Sequence, residues 1–166
     1  MQMVEKIIHG NHAGGIAITA FVIAVGISIG YYQFTYVPEA IRNPILPASV
    51  LEPPESINVK IIEGSSQADQ TRNFQPKEVQ GIIGLSNRIV WTSKDPVPHT
   101  VTSDDGYVDQ INGPFDSLQQ QEQVAGGFLR EGTTFEFTFT KVREYLYHCE
   151  PHPWMKGKIK IVENFA

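Results

Sequence analysis

The stretch Tyr145-Leu-Tyr-His-Cys-Glu-Pro-His-Pro-Trp-Met155 holds the only cysteine of the 166-residue chain. It offers a thiolate at Cys149, an imidazole at His152 and a thioether at Met155, each three residues from the last. A second imidazole, His99, stands well upstream in Pro98-His-Thr-Val-Thr102. One Cys, two His and one weakly held Met make the ligand set of a blue-copper electron-transfer site. Soft sulfur favours copper there, and a long axial Met tunes the potential. Zinc would ask for further Cys or His ligands, which this neighbourhood lacks. A buried structural cysteine is the plain alternative, and the flanking His152 and Met155 argue against it.

The run from Tyr147 through His148, Cys149, His152 and Met155 to Ile159 resembles the copper-binding loop of the cupredoxin family. The Cys-x2-His-x2-Met spacing is most similar to its amicyanin, plastocyanin and halocyanin branches. The segment around His99 resembles the family's first His ligand, and the resemblance covers roughly the last hundred residues. It implies a Greek-key β-sandwich outside the cytoplasm. It also implies one type 1 copper per chain, held by His99, Cys149, His152 and Met155. One departure is visible. Amicyanin and plastocyanin usually place Asn after the first His, where its side chain ties the two ligand loops together. This chain has Thr100, which offers one hydroxyl and no amide.

Composition narrows the field further. A formal net charge of -5 makes nucleic acid an unsuitable partner. A single Cys excludes an internal disulfide and any binuclear copper centre built on two cysteines. The apolar fraction of 41% suffices for an ordinary core.

Between Lys6 and Glu39 there is no Asp, Glu, Lys or Arg, and Gly14 to Tyr32 is apolar apart from Thr19 and Ser28. As a helix, such a segment spans about 28 Å, close to the hydrocarbon thickness of a bilayer. The aromatic cluster Tyr31, Tyr32, Phe34 and Tyr36 follows where an interfacial belt belongs. Residues 1–36 are therefore expected to carry a single-pass anchor in the cell membrane, through residues 14–32. A cleaved signal peptide, with small-residue sites at Ala24 to Ser28, would instead release a secreted form. Lys6 on one side and Arg42 on the other barely orient the segment.

Residues 37–56 carry Pro38, Pro44, Pro47, Pro53 and Pro54, which predicts a semi-stiff extended linker. Packing through Ile45, Leu46 and Leu51 is the other reading. Residues 57–166 alternate and turn as an all-β domain. Strands are expected at Ile57 to Ile62, Arg88 to Thr92, Thr100 to Thr102, Thr133 to Phe139, Glu144 to His148 and Lys158 to Val162. The stretch from Asp104 to Gly127 is broken by glycines and Pro114 and shows no clear pattern; its Gln-rich part, Leu118 to Gln123, predicts a short helix or surface loop without chemistry.

The functional expectation is a membrane-tethered carrier of single electrons rather than an enzyme. Redox partner proteins would dock near His152 and Trp154, among Pro98, Pro151 and Pro153. Two rivals are a copper enzyme acting on small nitrogen oxides or oxygen at an open site, and a copper storage or delivery protein. His148 precedes Cys149, so strand alternation turns it to the opposite face. His9 and His12 read as a solvated tail.

Overall fold

The computed structural model describes residues 2–40 and 46–164, with side chains described over 14–38 and 46–164. The side chains of Lys6, His9 and His12, and the whole of Arg42, Pro44 and Ile45, lie outside that description. The chain divides into two compact units, 1–43 and 44–166.

The first unit is helical. Helix α1 (Gln2–Tyr31) runs on through a π-helical turn (Tyr32–Tyr36) into α2 (Val37–Ala40). The aromatic cluster continues the helix, and Tyr32 and Tyr36 stack with ring centroids 5.6 Å apart. Gly14–Tyr36 is a 23-residue stretch, long and apolar enough to cross a membrane, with none of it buried. Thr19 and Ser28, its two polar residues before the aromatic cluster, are internally satisfied. The Thr19 hydroxyl donates to the Gly15 carbonyl and the Ser28 hydroxyl to the Ala24 carbonyl, each at 2.9 Å. A helix in hydrocarbon needs that economy.

The second unit opens with α3 (Ala48–Leu51), followed by β1 (Ser56–Ile61), β2 (Phe74–Gln75), β3 (Glu78–Ile82), β4 (Arg88–Ser93) and β5 (Thr102–Ser103). It continues with β6 (Val108–Asp109), β7 (Gly113–Pro114), a 3-10 turn at Ala125–Gly127, β8 (Thr134–Thr138), β9 (Glu144–Cys149) and β10 (His152–Val162). Two four-stranded sheets form, ordered β2-β1-β4-β8 and β3-β10-β9-β5, with a small β6-β7 hairpin beside them. The β1–β4 and β3–β10 pairs are parallel, and the remaining pairs antiparallel. This is a two-sheet β-sandwich, as the sequence led one to expect.

Alternation drives it. In β4, Ile89, Trp91 and Ser93 point inward; in β8, Phe135 and Phe137; in β9, Tyr145, Tyr147 and Cys149. Trp91 of one sheet meets Tyr147 of the other edge-on, with centroids 5.5 Å apart. Phe115 and Phe135 flank the indole at 5.5 and 5.7 Å. Each such ring pair contributes about 0.5–1.5 kcal/mol beyond the area it buries. Gly157, paired across the ladder with Tyr147, is required by the same packing. A Cβ there would run into the phenol ring.

Residues 46–55 lie against the β unit. Val50 is buried in α3. The Asn87 side-chain amide donates to the Val50 carbonyl at 2.8 Å, and the Glu55 N–H donates to the Leu85 carbonyl at 3.0 Å. Leu46 and Leu51 are half-buried.

The stretch from 104 to 127 holds its own polar hub. The Asp109 carboxylate is 2% exposed. It accepts from the Tyr107 hydroxyl at 2.8 Å, the Thr140 hydroxyl at 2.6 Å and the Ile111 N–H at 2.9 Å. This knits the β6–β7 hairpin to the end of β8.

We expect a chain starting at Leu46 to be more stable than one starting at Ile57. Thermal unfolding of the two metal-free proteins should differ by about 2 kcal/mol, from the lost burial of Val50. Equal melting temperatures would mean that residues 46–56 contribute nothing to the fold.

Candidate metal centre

Cys149 and His152 are directly opposed residues that close the β9–β10 hairpin, with Glu150 and Pro151 as its turn. Two-residue hairpin turns normally need positive φ, and other turns splay the strands. Among the described residues no non-glycine has positive φ. The pairing accordingly breaks at once. It resumes at Lys156 opposite His148, so β10 carries three extra residues, Pro153 to Met155, in a bulge. The proline, which cannot donate to the ladder, sits where a bulge tolerates it. Within the bulge Trp154 turns outward, 39% exposed, and Met155 turns inward, fully buried.

His99 arrives from the loop between β4 and β5. A backbone bridge to Leu129 fixes it, with N–H to carbonyl bonds of 3.0 and 2.8 Å running both ways. His99 is completely buried. Three donor atoms converge: Cys149 Sγ lies 3.6 Å from His99 Nδ1 and 3.4 Å from His152 Nδ1, and the two Nδ1 atoms are 3.1 Å apart. Donors held at about 2.0–2.3 Å from one ion, at tetrahedral to trigonal angles, stand about 3.3–3.7 Å apart. Both sulfur–nitrogen distances fall in that range and the nitrogen–nitrogen distance lies about 0.2 Å below it, so a small spreading of the two imidazoles fits the set to a single metal ion. One sulfur and two imidazoles suit copper. His99, Cys149 and His152 are brought together within 4.8 Å of one another. Met155 is placed on the same hairpin, buried in the bulge.

The surroundings include residues that the sequence reading passed over. Asp95, 1% exposed, sets its Oδ2 3.2 Å from His99 Nε2. That is ion-pair distance, but the angle misses a hydrogen bond, and His99 Nε2 has no hydrogen-bond partner among the described residues. The carboxylate still favours a proton on Nε2 and leaves Nδ1 free as a donor, as carboxylates behind metal-bound histidines do. Asp95 is fixed in turn by the Val97 and Ser66 N–H groups at 2.9 and 3.3 Å. The Asp-x3-His interval around two prolines was its only trace in the sequence.

Thr100 supplies a tie across the two ligand loops. Its N–H donates to Cys149 Sγ at 3.3 Å, and its hydroxyl oxygen accepts the Glu150 N–H at 2.8 Å. Thr performs this as an acceptor rather than as a donor. His148 does turn away from the cluster. It lies at the surface with Nδ1 2.6 Å from Asp104 Oδ1 and Nε2 3.5 Å from Glu150 Oε1. The Trp154 indole donates to the Ser65 carbonyl at 3.1 Å and tilts beside the His152 ring at 5.3 Å.

Burial sets the charge state. It pushes the Cys149 thiol up, and the Thr100 and His152 N–H groups offset this only in part. Burial also pushes His99 below 6.5, against the pull of Asp95. Burial would raise Asp109, but the Thr140 hydroxyl and the Ile111 N–H outweigh it and hold the carboxyl below 3.8. Without metal, the site is a thiol beside a neutral imidazole. Loading it with a metal that takes the thiolate must release a proton.

The chain matches the family of copper-binding proteins described as plastocyanin/azurin over residues 62–162. An amicyanin-alpha from Methylorubrum extorquens is 32% identical over 88 residues, 53% of this chain and 63% of that protein. An amicyanin from Paracoccus denitrificans is 25% identical over 79 residues, 48% of this chain and 52% of that one. The chain thus spans less than two thirds of these relatives. A purple cupredoxin from Nitrosopumilus maritimus has a TM-score of 0.48 at 23% identity, covering 64% of this chain and 99% of that chain.

Acid should weaken the metal-free fold in two steps. The unfolded chain protonates His99 near 6.5 while the folded chain resists, so stability falls as pH drops below about 6.5. A second loss begins near 4, where Asp109 must be protonated. Denaturant unfolding from pH 8 to 3 should reveal both. A flat profile between 7 and 5 would refute the first.

Proposed function

The chain belongs to the plastocyanin/azurin family of copper-binding proteins, and we propose that it works as a membrane-tethered carrier of single electrons. The observation that carries this reading is the convergence of Cys149 Sγ with His99 Nδ1 and His152 Nδ1. In the proposal these three side chains would hold one copper, and the Met155 thioether would serve as a fourth, weaker donor. Bound copper supplies a one-electron couple between Cu(I) and Cu(II).

The chain's own residues have three tasks. His99, Cys149 and Met155 are fully buried and keep water from the donors. Asp95 and the His99–Leu129 bridge hold one imidazole still, while the Cys149–His152 pair and Pro151 hold the other. Ligands that hardly move favour fast electron exchange. The thiol proton is the one that must leave on loading, since Cys149 is the only thiol.

His152 is half-buried, unlike His99, and serves in this proposal as the port for electrons. Trp154, Val97, Pro151 and Pro153 offer partly exposed apolar surface. Redox partner proteins of small, transient interface would dock there. Trp154 also has a structural task through Ser65, and the two roles are compatible. Residues 1–36 would tether residues 57–166 to the cell membrane, with the copper domain on the extracytoplasmic side. The apolar stretch Gly14–Tyr36 supports the tether, and a cleaved form would be secreted.

Two substitutions test the reading. Copper-loaded Cys149→Ser should lose the intense visible charge-transfer band, which arises from thiolate to Cu(II); a band of undiminished strength would sink the assignment. Met155→Leu should keep copper bound and raise the reduction potential. Removing a sulfur donor leaves the site less able to support the higher charge of Cu(II). Voltammetry without a shift would argue for an open site, to be assayed for turnover of oxygen or nitrogen oxides.

A further inference from the structure

Behind the proposed ligands a row of hydroxyls runs from the Cys149 peptide to a carboxylate. The Glu150 N–H donates to Thr100 Oγ1 at 2.8 Å. Thr100 Oγ1 lies 3.4 Å from Thr102 Oγ1, and Thr102 Oγ1 lies 3.1 Å from Asp116 Oδ1. Thr100 is fully buried and Thr102 is 9% exposed. An isolated β-bridge between Thr102 and Asp116 holds the far end in register.

The proton order in this row follows from counting hydrogens. Each threonine hydroxyl has one hydrogen to give. Thr102 has two oxygen neighbours and can donate to only one of them. As a carboxylate, Asp116 accepts and does not donate. Its other partners, the Leu118 N–H at 2.9 Å and the Gln119 side-chain amide at 2.8 Å, are also donors. Bonds to a charged acceptor are the stronger ones, so the Thr102 hydrogen goes to Asp116. The Thr102 oxygen is then left to receive the Thr100 hydrogen. A Thr100 lone pair is thereby turned to the Glu150 N–H. Each link polarises the next.

We propose that Asp116 is a positioning residue of the copper centre, acting through Thr102 and Thr100 to fix the Cys149–Glu150 peptide. The proposal rests on the copper-carrier reading. Thr100 is the pivot, because the same residue sends its N–H to Cys149 Sγ at 3.3 Å. Held from both its backbone and its hydroxyl, Thr100 sets the distance between the His99 loop and the Cys149 hairpin. The row also brings negative polarisation to the sulfur's own peptide, which favours the more highly charged oxidation state. At 3.4 Å the Thr100–Thr102 contact is the loosest link, so Thr102 is the place to cut.

Thr102→Val removes one hydroxyl and leaves the Asp116 charge, with its Leu118 and Gln119 bonds, in place. Two readouts follow it. In the metal-free full chain, the Glu150 amide proton should move upfield in NMR spectra and exchange faster with solvent. In the copper-loaded chain, the reduction potential should rise. Asp116→Asn should shift both in the same direction, and the double variant should shift no further than the larger single one. Thr102→Ser, which keeps a hydroxyl, should behave like the parent. The proposal is overturned if Thr102→Val matches the parent in both readouts, since Asp116 then acts through space or merely as a structural cap. It is also overturned if Thr102→Ser is as perturbed as Thr102→Val, since packing would then be the cause. Absence of the blue band from the copper-loaded parent would defeat the carrier reading, and the metal-free Glu150 amide would still decide whether the hydroxyl row operates.

Discussion

Three donor atoms from two distant parts of the chain must stand within 3.1–3.6 Å of one another inside an apolar sandwich. Such a cluster is unfavourable by itself. A thiol and two imidazoles lose water on burial, and each polar atom left without a partner costs free energy. The cluster persists because two rigid frames leave it nowhere to relax. One is the hairpin that opposes Cys149 to His152. The other is the backbone bridge between His99 and Leu129. Both frames are anchored in sheets pinned by Trp91 and Tyr147.

The hairpin shows how local chemistry creates the third dimension of the site. A turn without positive φ splays its strands, and the bulge that follows absorbs the mismatch with three residues. Those residues take opposite faces. Trp154 goes to the surface beside His152, and Met155 goes to the interior. One irregularity thus prepares both an exposed apolar side chain beside His152 and a buried thioether on the same hairpin. The tie through Thr100 closes the two frames against each other. A short hydroxyl suffices where its backbone N–H and its oxygen both face the Cys149 hairpin.

Much of this was legible in the residues. Period-two alternation located most of β1, β4, β8 and β9, because one buried face per strand leaves a clear pattern. It placed β5 slightly early, at Thr100 to Thr102, and missed β2, β3, β6 and β7, which are short or interrupted by glycine and proline. The loop after Cys149 reads as a loop, yet most of it is the bulged start of β10, because its partner strand lies only two residues away. The proline-rich residues before β1 read as extended. The other reading, packing on the domain, stood beside it, and the structure adds hydrogen bonds from Asn87 to Val50 and from Glu55 to Leu85.

The sequence alone determined the donor chemistry: one thiol, its spacing to His152 and Met155, and a second His directly after Pro98. It determined the apolar stretch from Gly14 onward as well. These are covalent facts, and short-range spacing limits where their atoms can go. Tertiary structure alone decided that His99 joins the other two, that Asp95 stands behind its ring, and that Thr100 accepts from Glu150. It also decided that Asp109 and Asp116 serve as acceptors rather than as loop solubilisers. Each of those contacts joins an atom to a partner whose direction is set by packing, and packing depends on every strand at once.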